Sequence, residues 1–385
     1  MIGSAEHDFA RRLVGLVLGI DALYRSVLPP DLEGLAREGW VAINLSRTPP
    51  TPITSYAQAR AMVKELEREV DSLGLTTGRV RYFQDYLHAI ETFCLWQEGQ
   101  AIPYEELTGS LLGISVSPPD LEPLLHDLDQ SLSAAGLSGE TAAMIAAFRA
   151  SRAVPRDQVI PTLTRYMDEA RQWVHREFFP LPDDFQFHVE GEGGLSYNAY
   201  CEYVGRFVRI NLDIQFTHED LKHLACHEAY PGHSTHILRR ELLVEQGKMT
   251  EDGLLVVTDT PTSPLFEGIG EIGLTLVGWD QTEAERINRL IVRLDAAVGV
   301  WAGHLFAQGR RDEGMALLRR YRDEAWAEAR WRLIELPIRG PFICAYYFGD
   351  QVVHAAHARM KDQKAFLTHL YDAMHSPSSL AIDAR

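Results

Sequence analysis

The chain has 385 residues, enough for one large or two ordinary domains and for a substantial core. Its 54 acidic against 37 basic side chains give a formal charge of -17, and no basic tract offsets them, which argues against nucleic acid or an anionic membrane as partner. Four cysteines, Cys94, Cys201, Cys226 and Cys344, stand far apart with no Cys-x-x-Cys pair; neither a disulfide framework nor a thiolate zinc knuckle is signalled, and a reducing, cytoplasmic setting is expected.

Taken in order, the apolar run Leu13 to Ile20 follows Arg11-Arg12 in the manner of a signal peptide. Glu6 and Asp8 precede it, however, and it runs into Asp21 without a small-residue cleavage site, so an exported form is the less favoured reading. No stretch reaches the roughly 18 unbroken apolar residues of a membrane span. From Ala5 to about Phe178 apolar residues recur at helical spacing, which predicts a helical array. Ser55 caps one helix that Gly74 stops. Arg79 to Gln97 forms another, whose stripe of Tyr82, Phe83, Tyr86, Leu87, Ile90 and Phe93 reads as core. Pro29-Pro30, Thr48 to Pro52 and Pro118-Pro119 mark turns.

Between Asp184 and Asp213 the texture changes. Phe185 to Glu190 and Arg206 to Leu212 have strand character, separated by a segment with Gly191, Gly193 and Gly194, which predicts a small β-hairpin or sheet. Such a strand either covers the core or edges a cleft where an extended substrate adds main-chain hydrogen bonds. Thr217 to Asp220 reads as a capping box, so a helix begins near His218. Further helices follow over Ser234 to Gln246, Leu265 to Trp279, Thr282 to Gln308, Arg311 to Leu336, Pro341 to Met360 and Gln363 to Met374. The expected organisation is an N-terminal helical region, residues 1–180, and a metal-binding region, residues 181–385, in one continuous unit.

The metal-competent side chains concentrate in Cys226-His227-Glu228-Ala229-Tyr230-Pro231-Gly232-His233-Ser234-Thr235-His236. An ordinary zincin sets two histidines four apart on one helical face, with the glutamate after the first beside the water to be activated. Here Pro231 occupies the fourth position. On an unbroken helix the six residues from His227 to His233 would leave the two about 120° apart, too far round to share a metal. Pro231 has no N–H for the His227 carbonyl and crowds it, so the helix must bend, bulge or end, and Gly232 lets the chain turn back. The plainer alternative is a helix C-terminus that happens to contain histidines. His223, four before His227, keeps a second pairing open.

A third protein ligand is expected from a later helix. Glu267 and Glu271 lie four apart among Leu265, Phe266, Ile269, Ile272, Leu274 and Leu276, and acids on so apolar a helix need a partner that a metal would provide.

These residues resemble the bacterial proteins grouped as domain of unknown function 885, distant helical zinc peptidases of the gluzincin type. Their His-Glu-Ala-x-Pro-Gly-His-His-x-Gln signature is similar to His227 to His233, their Glu-Gly-Trp-Ala motif to Glu267-Gly268-Ile269-Gly270, and their Tyr-x-x-Gly to Tyr346-Tyr347-Phe348-Gly349. The similarity spans roughly Leu195 to Leu380. It implies a mainly α, metallopeptidase-like fold with the small sheet beside the active-site cleft, zinc on His227, His233 and Glu267, Glu228 as general base, and Tyr346 near the developing oxyanion. The chain departs from the pattern at Ser234, where the family has a second histidine, at His236, where it has glutamine, and at Ile269, where it has tryptophan; Glu271 is an extra acid.

The expected activity is therefore hydrolysis of a peptide or amide carbonyl by a zinc metallopeptidase or amidohydrolase. Two rivals stand beside it. One is a metalloenzyme acting on a small metabolite with iron or manganese, since histidine and carboxylate ligands do not select zinc uniquely. The other is a metal-free binding or scaffold protein, for which the departures at Ser234 and Ile269 speak.

Overall fold

The apolar run that resembles a signal peptide is the centre of a long helix, Ser4–Val27. Phe9, Leu13, Leu16, Val17, Ile20 and Tyr24 recur three or four apart along it and all are buried. The computed structural model describes residues 2–383 and is mainly helical, as the patterning predicts. Among the described residues the strands are β1 (Val41–Asn44), β2 (His188–Glu192), β3 (Ala199–Glu202), β4 (Phe207–Asn211) and β5 (Leu255–Val257).

The chain forms two compact units, each from separate segments: Met1–Val116 with His236–Phe266 and Leu336–Arg385, and Ser117–Thr235 with Glu267–Glu335. In the first, the helices Ser4–Val27, Tyr56–Val70 and Thr77–Gln97 share one apolar core. The expected stripe is its centre: Phe83 meets Phe9 edge-on at 4.7 Å and Phe93 stacks on Trp40 at 4.2 Å, pairs worth roughly 1 kcal/mol each beyond their burial. Ser55 accepts from the Gln58 N–H and so caps its helix as expected. Arg79 ties three segments together: it pairs with Glu6 at 3.0 Å and Asp252 at 2.9 Å while lying over the Phe83 ring. β1 pairs antiparallel with β5, a sheet too short for its alternation to be read in advance.

In the second unit the small sheet has the order β2-β4-β3. The two runs with strand character, now β2 and β4, pair parallel and are therefore not a hairpin. The hairpin is β3 with β4, joined through residues 203–206, and it leaves β3 at an edge. Phe185 and Phe187 lie before β2 and pack on Tyr203 and Tyr230 instead. Thr217 and Asp220 form both halves of the expected capping box, at 3.1 and 2.9 Å, and start the helix His218–Leu224. Asp220 also receives two N–H groups of Arg149, a buried pair.

The single helix expected over Arg311 to Leu336 is two, Arg311–Tyr321 and Glu324–Glu335. The break has a local cause: Arg322 is extended, with its guanidinium paired to buried Asp295, and Asp323 accepts the Trp326 N–H at 2.8 Å, opening the next helix. The helix Glu283–Ala307 averages apolar enough to cross a membrane by length and composition, but most of that window is buried in the protein, as in a core helix.

Candidate metal centre

The helix that starts at Thr217 changes character before Pro231. Ala225–Ala229 is a π-helical turn, in which the Tyr230 N–H reaches the Ala225 carbonyl at 3.0 Å, and a new helix starts at His233. The Tyr230–Pro231 peptide is cis. Gly232 sits where no side chain fits: a β-carbon there would meet the His227 carbonyl oxygen at 1.9 Å and that of Cys226 at 2.3 Å. The Ala229 carbonyl, stranded by the break, accepts from Ser234 Oγ at 2.6 Å and Thr235 Oγ1 at 3.0 Å. Ser234 thus pins the turn.

The bulge and break bring the rings of His227 and His233 to 4.5 Å between centroids, edge to face. Glu267, on the helix Thr262–Val277, joins them: Oε2 lies 3.2 Å from His227 Nε2, and Oε1 lies 3.9 Å from His233 Nε2. All three residues are buried, and one ligand atom from each falls within 4.8 Å of the others, so the group could hold a metal ion. The donor set fits a metal ion: two imidazoles and a carboxylate are ordinary ligands, and all three side chains are buried together away from water.

A second group, His223, His227 and Glu271, satisfies the same proximity. Its carboxylate is already engaged. Glu271 Oε2 is 3.0 Å from His223 Nε2, and Oε1 is 3.3 Å from His227 Nδ1. A carboxylate on Nδ1 leaves Nε2 directed toward Glu267 and His233, the arrangement that orients a ligating histidine. Burial raises a carboxylate's pKa, but here His223 and His227 outweigh it and hold Glu271 well below the usual range. Burial disfavours the charged form of His227, and Glu267 and Glu271 overcome that and hold it above its ordinary value.

The approach of the two helices depends on Gly270 and Gly273, which present a bare strip to Cys226 and His227. A β-carbon on Gly270 would touch the His227 ring, and one on Gly273 would lie 2.9 Å from Cys226 Cβ. Glu228 is buried beside the group. Its carboxylate accepts the backbone N–H of Cys201 on β3, and burial, with Glu267 adding to it, pushes its pKa up to about 7. β3, absent from the strands expected, thereby reaches the site. Burial raises the pKa of Tyr197, just before β3, against the opposing charge of Arg209.

Two other expected residues belong to the first unit. His236 belongs to neither group, and its ring packs against Phe266 and Tyr371 in the first unit. Tyr346 lies in that unit too, on the helix Ile343–Arg359, edge-on to Phe342 at 5.7 Å.

No family model matches the sequence, and no curated protein matches it. Two solved structures share the fold. The putative lipoprotein from Colwellia psychrerythraea aligns with a TM-score of 0.57 at 17% identity over 86% of this chain and 67% of its own. A putative lipoprotein of unknown function from Shewanella oneidensis aligns with a TM-score of 0.52 at 13% identity over 84% of this chain and 72% of its own.

Proposed function

We propose that the chain is a metal-dependent hydrolase acting on a peptide or amide carbonyl, with a gluzincin-like site of the kind that the resemblance to domain of unknown function 885 implies. The observation that carries this reading is the convergence of buried His227, His233 and Glu267 with Glu228 next in sequence to the first. Those three would hold the ion, zinc by donor type, with iron or manganese as the alternatives. The ion would supply Lewis acidity, which makes water nucleophilic near neutral pH and polarises a carbonyl.

The protein's own residues supply the rest. Glu228, held by the Cys201 N–H, takes the proton of the attacking water and returns it to the leaving nitrogen. Glu271 fixes the His227 ring. Burial keeps Glu228 out of bulk water. Tyr346 enters through the resemblance alone, as the group facing the developing oxyanion.

The setting is proposed as exported rather than cytoplasmic. The argument from scattered cysteines loses its force because all four thiols are buried, and the two structures of like fold are described as putative lipoproteins. The test of function is elemental analysis of protein purified without chelator, together with a peptide and amide substrate panel. Wild-type protein should carry one ion per chain. Glu228→Gln should keep it and lose turnover by about 100-fold or more. Metal-free wild-type protein would favour the scaffold reading, and retained turnover in Glu228→Gln would remove the glutamate's role.

A further inference from the structure

On the second unit an open groove of about 500 Å³ lies between the helices Glu122–Ala134 and Glu283–Ala307. Arg286, Arg289 and Arg293 line one wall, the small side chains of Ser131 and Ala134 the other, with Ile287 and Leu290 between and Glu283 as the single acid. Three arginines and one glutamate line the groove in a chain whose total charge is -17, and Arg289 is paired with Asp280 at 3.3 Å.

The arginines recur at three and four residues, along about 10 Å of helix. Like charges at that spacing repel and cost a helix a few tenths of a kcal/mol per pair. Arg286 spends one nitrogen on the Gln281 carbonyl, and Arg289 one nitrogen on Asp280 Oδ2 at 3.3 Å and Thr275 Oγ1 at 3.4 Å. Those contacts steady two guanidinium groups and use a minority of their five N–H donors each. The volume falls in the range of small-molecule sites.

We propose that this groove binds a small anion bearing two or more negative charges, of the phosphate or dicarboxylate type, through forked hydrogen bonds from Arg286, Arg289 and Arg293, with Ile287 and Leu290 against any apolar body. Guanidinium groups match the planar, two-oxygen edge of such anions.

The experiment is calorimetric titration of the full chain with sulfate and, separately, with succinate, at about 50 mM and about 300 mM sodium chloride. Saturable 1:1 binding of either probe is expected, weaker at the higher salt. Arg286→Gln with Arg293→Gln should weaken it by about 10-fold or more. Arg319→Gln, which removes an exposed arginine already paired with Glu324, should leave it unchanged. Ala134→Trp should block it by filling the groove. Thermal melting of each variant separates lost binding from lost fold. Absence of saturable binding by both probes, binding that survives the double arginine change, or an equal loss in Arg319→Gln overturns the proposal.

Discussion

The β-carbon that Gly270 lacks would meet His227 Nδ1 at 2.4 Å, a full ångström inside ordinary contact. The helix carrying Glu267 therefore reaches the histidine only because position 270 has no side chain. Gly270→Ala should set two effects against each other. Helix propensity improves by about 1 kcal/mol, while the His227 ring must move off Glu271 and Glu267. Metal affinity, measured by competition with a chromogenic chelator, should fall by about 10-fold or more with the melting temperature little changed. Wild-type affinity would show that the ring has room to retreat and still bind.

Which of the two side-chain groups holds the ion is decided by comparing single substitutions. His227 belongs to both, so His227→Ala abolishes binding either way. With the ion on His227, His233 and Glu267, Glu267→Ala should remove it, Glu271→Gln should weaken it by about 10- to 100-fold, and His223→Ala should weaken it less. The reverse order, with His223 and Glu271 essential and Glu267 dispensable, would move the ion to the other side of the imidazole.

The meeting of His227 with His233 is legible in the sequence because Pro231 forbids a continued helix, and an acid on so apolar a helix needs a partner; the choice of Glu267 over Glu271 comes from the family resemblance and not from spacing. The role of Glu271 is not legible. It depends on the register between two helices distant in the chain, set by Gly270 and Gly273, whose neighbours no local pattern reveals. The helices are legible wherever caps and apolar spacing agree, as at Ser55 and Thr217. At Arg322 they disagree with the outcome, because the pull of Asp295 is a long-range contact. The parallel pairing of β2 with β4 is hidden for the same reason: strand character fixes which residues extend, and not which neighbour they choose.

Acid should loosen the second unit through Asp220. Burial alone would raise its pKa; the Arg149 ion pair, the charge of Arg322 and the Thr217 N–H reverse that and bring it to about 2 from 3.8. A carboxylate depressed in the folded state contributes stability that is complete above its unfolded pKa and is lost as pH falls through its folded one, so the window runs from about pH 4 down to about pH 2. The difference corresponds to roughly 2 kcal/mol. Asp220→Asn should lower the melting temperature at pH 7, where it strands a buried Arg149, and the gap to wild type should narrow as both are melted towards pH 3. A gap independent of pH would show that packing at the cap, not charge, sets the contribution of this residue.

Gly232 is the residue on which the departure from an ordinary zincin turns. Its N–H donates to the Cys226 carbonyl at 2.8 Å, and the two carbonyl oxygens that a β-carbon would strike belong to the backbone of the π-helical turn itself, so neither can step aside as a flexible side chain would. Straightening this stretch into regular helix would carry His233 about 120° from His227. Gly232→Ala should therefore disturb the turn, at a cost of about 1–3 kcal/mol in stability, and lower metal affinity by more than 10-fold. Because that variant strains the backbone directly, a second one tests the same turn without added bulk. Ser234→Ala with Thr235→Val removes both hydroxyl donors from the Ala229 carbonyl, each worth about 1 kcal/mol, and leaves every ligand in place. Its metal affinity should drop several-fold while circular dichroism keeps the wild-type helix content. Wild-type affinity in both variants would mean that His233 reaches the ion by a route that does not depend on the shape of this turn.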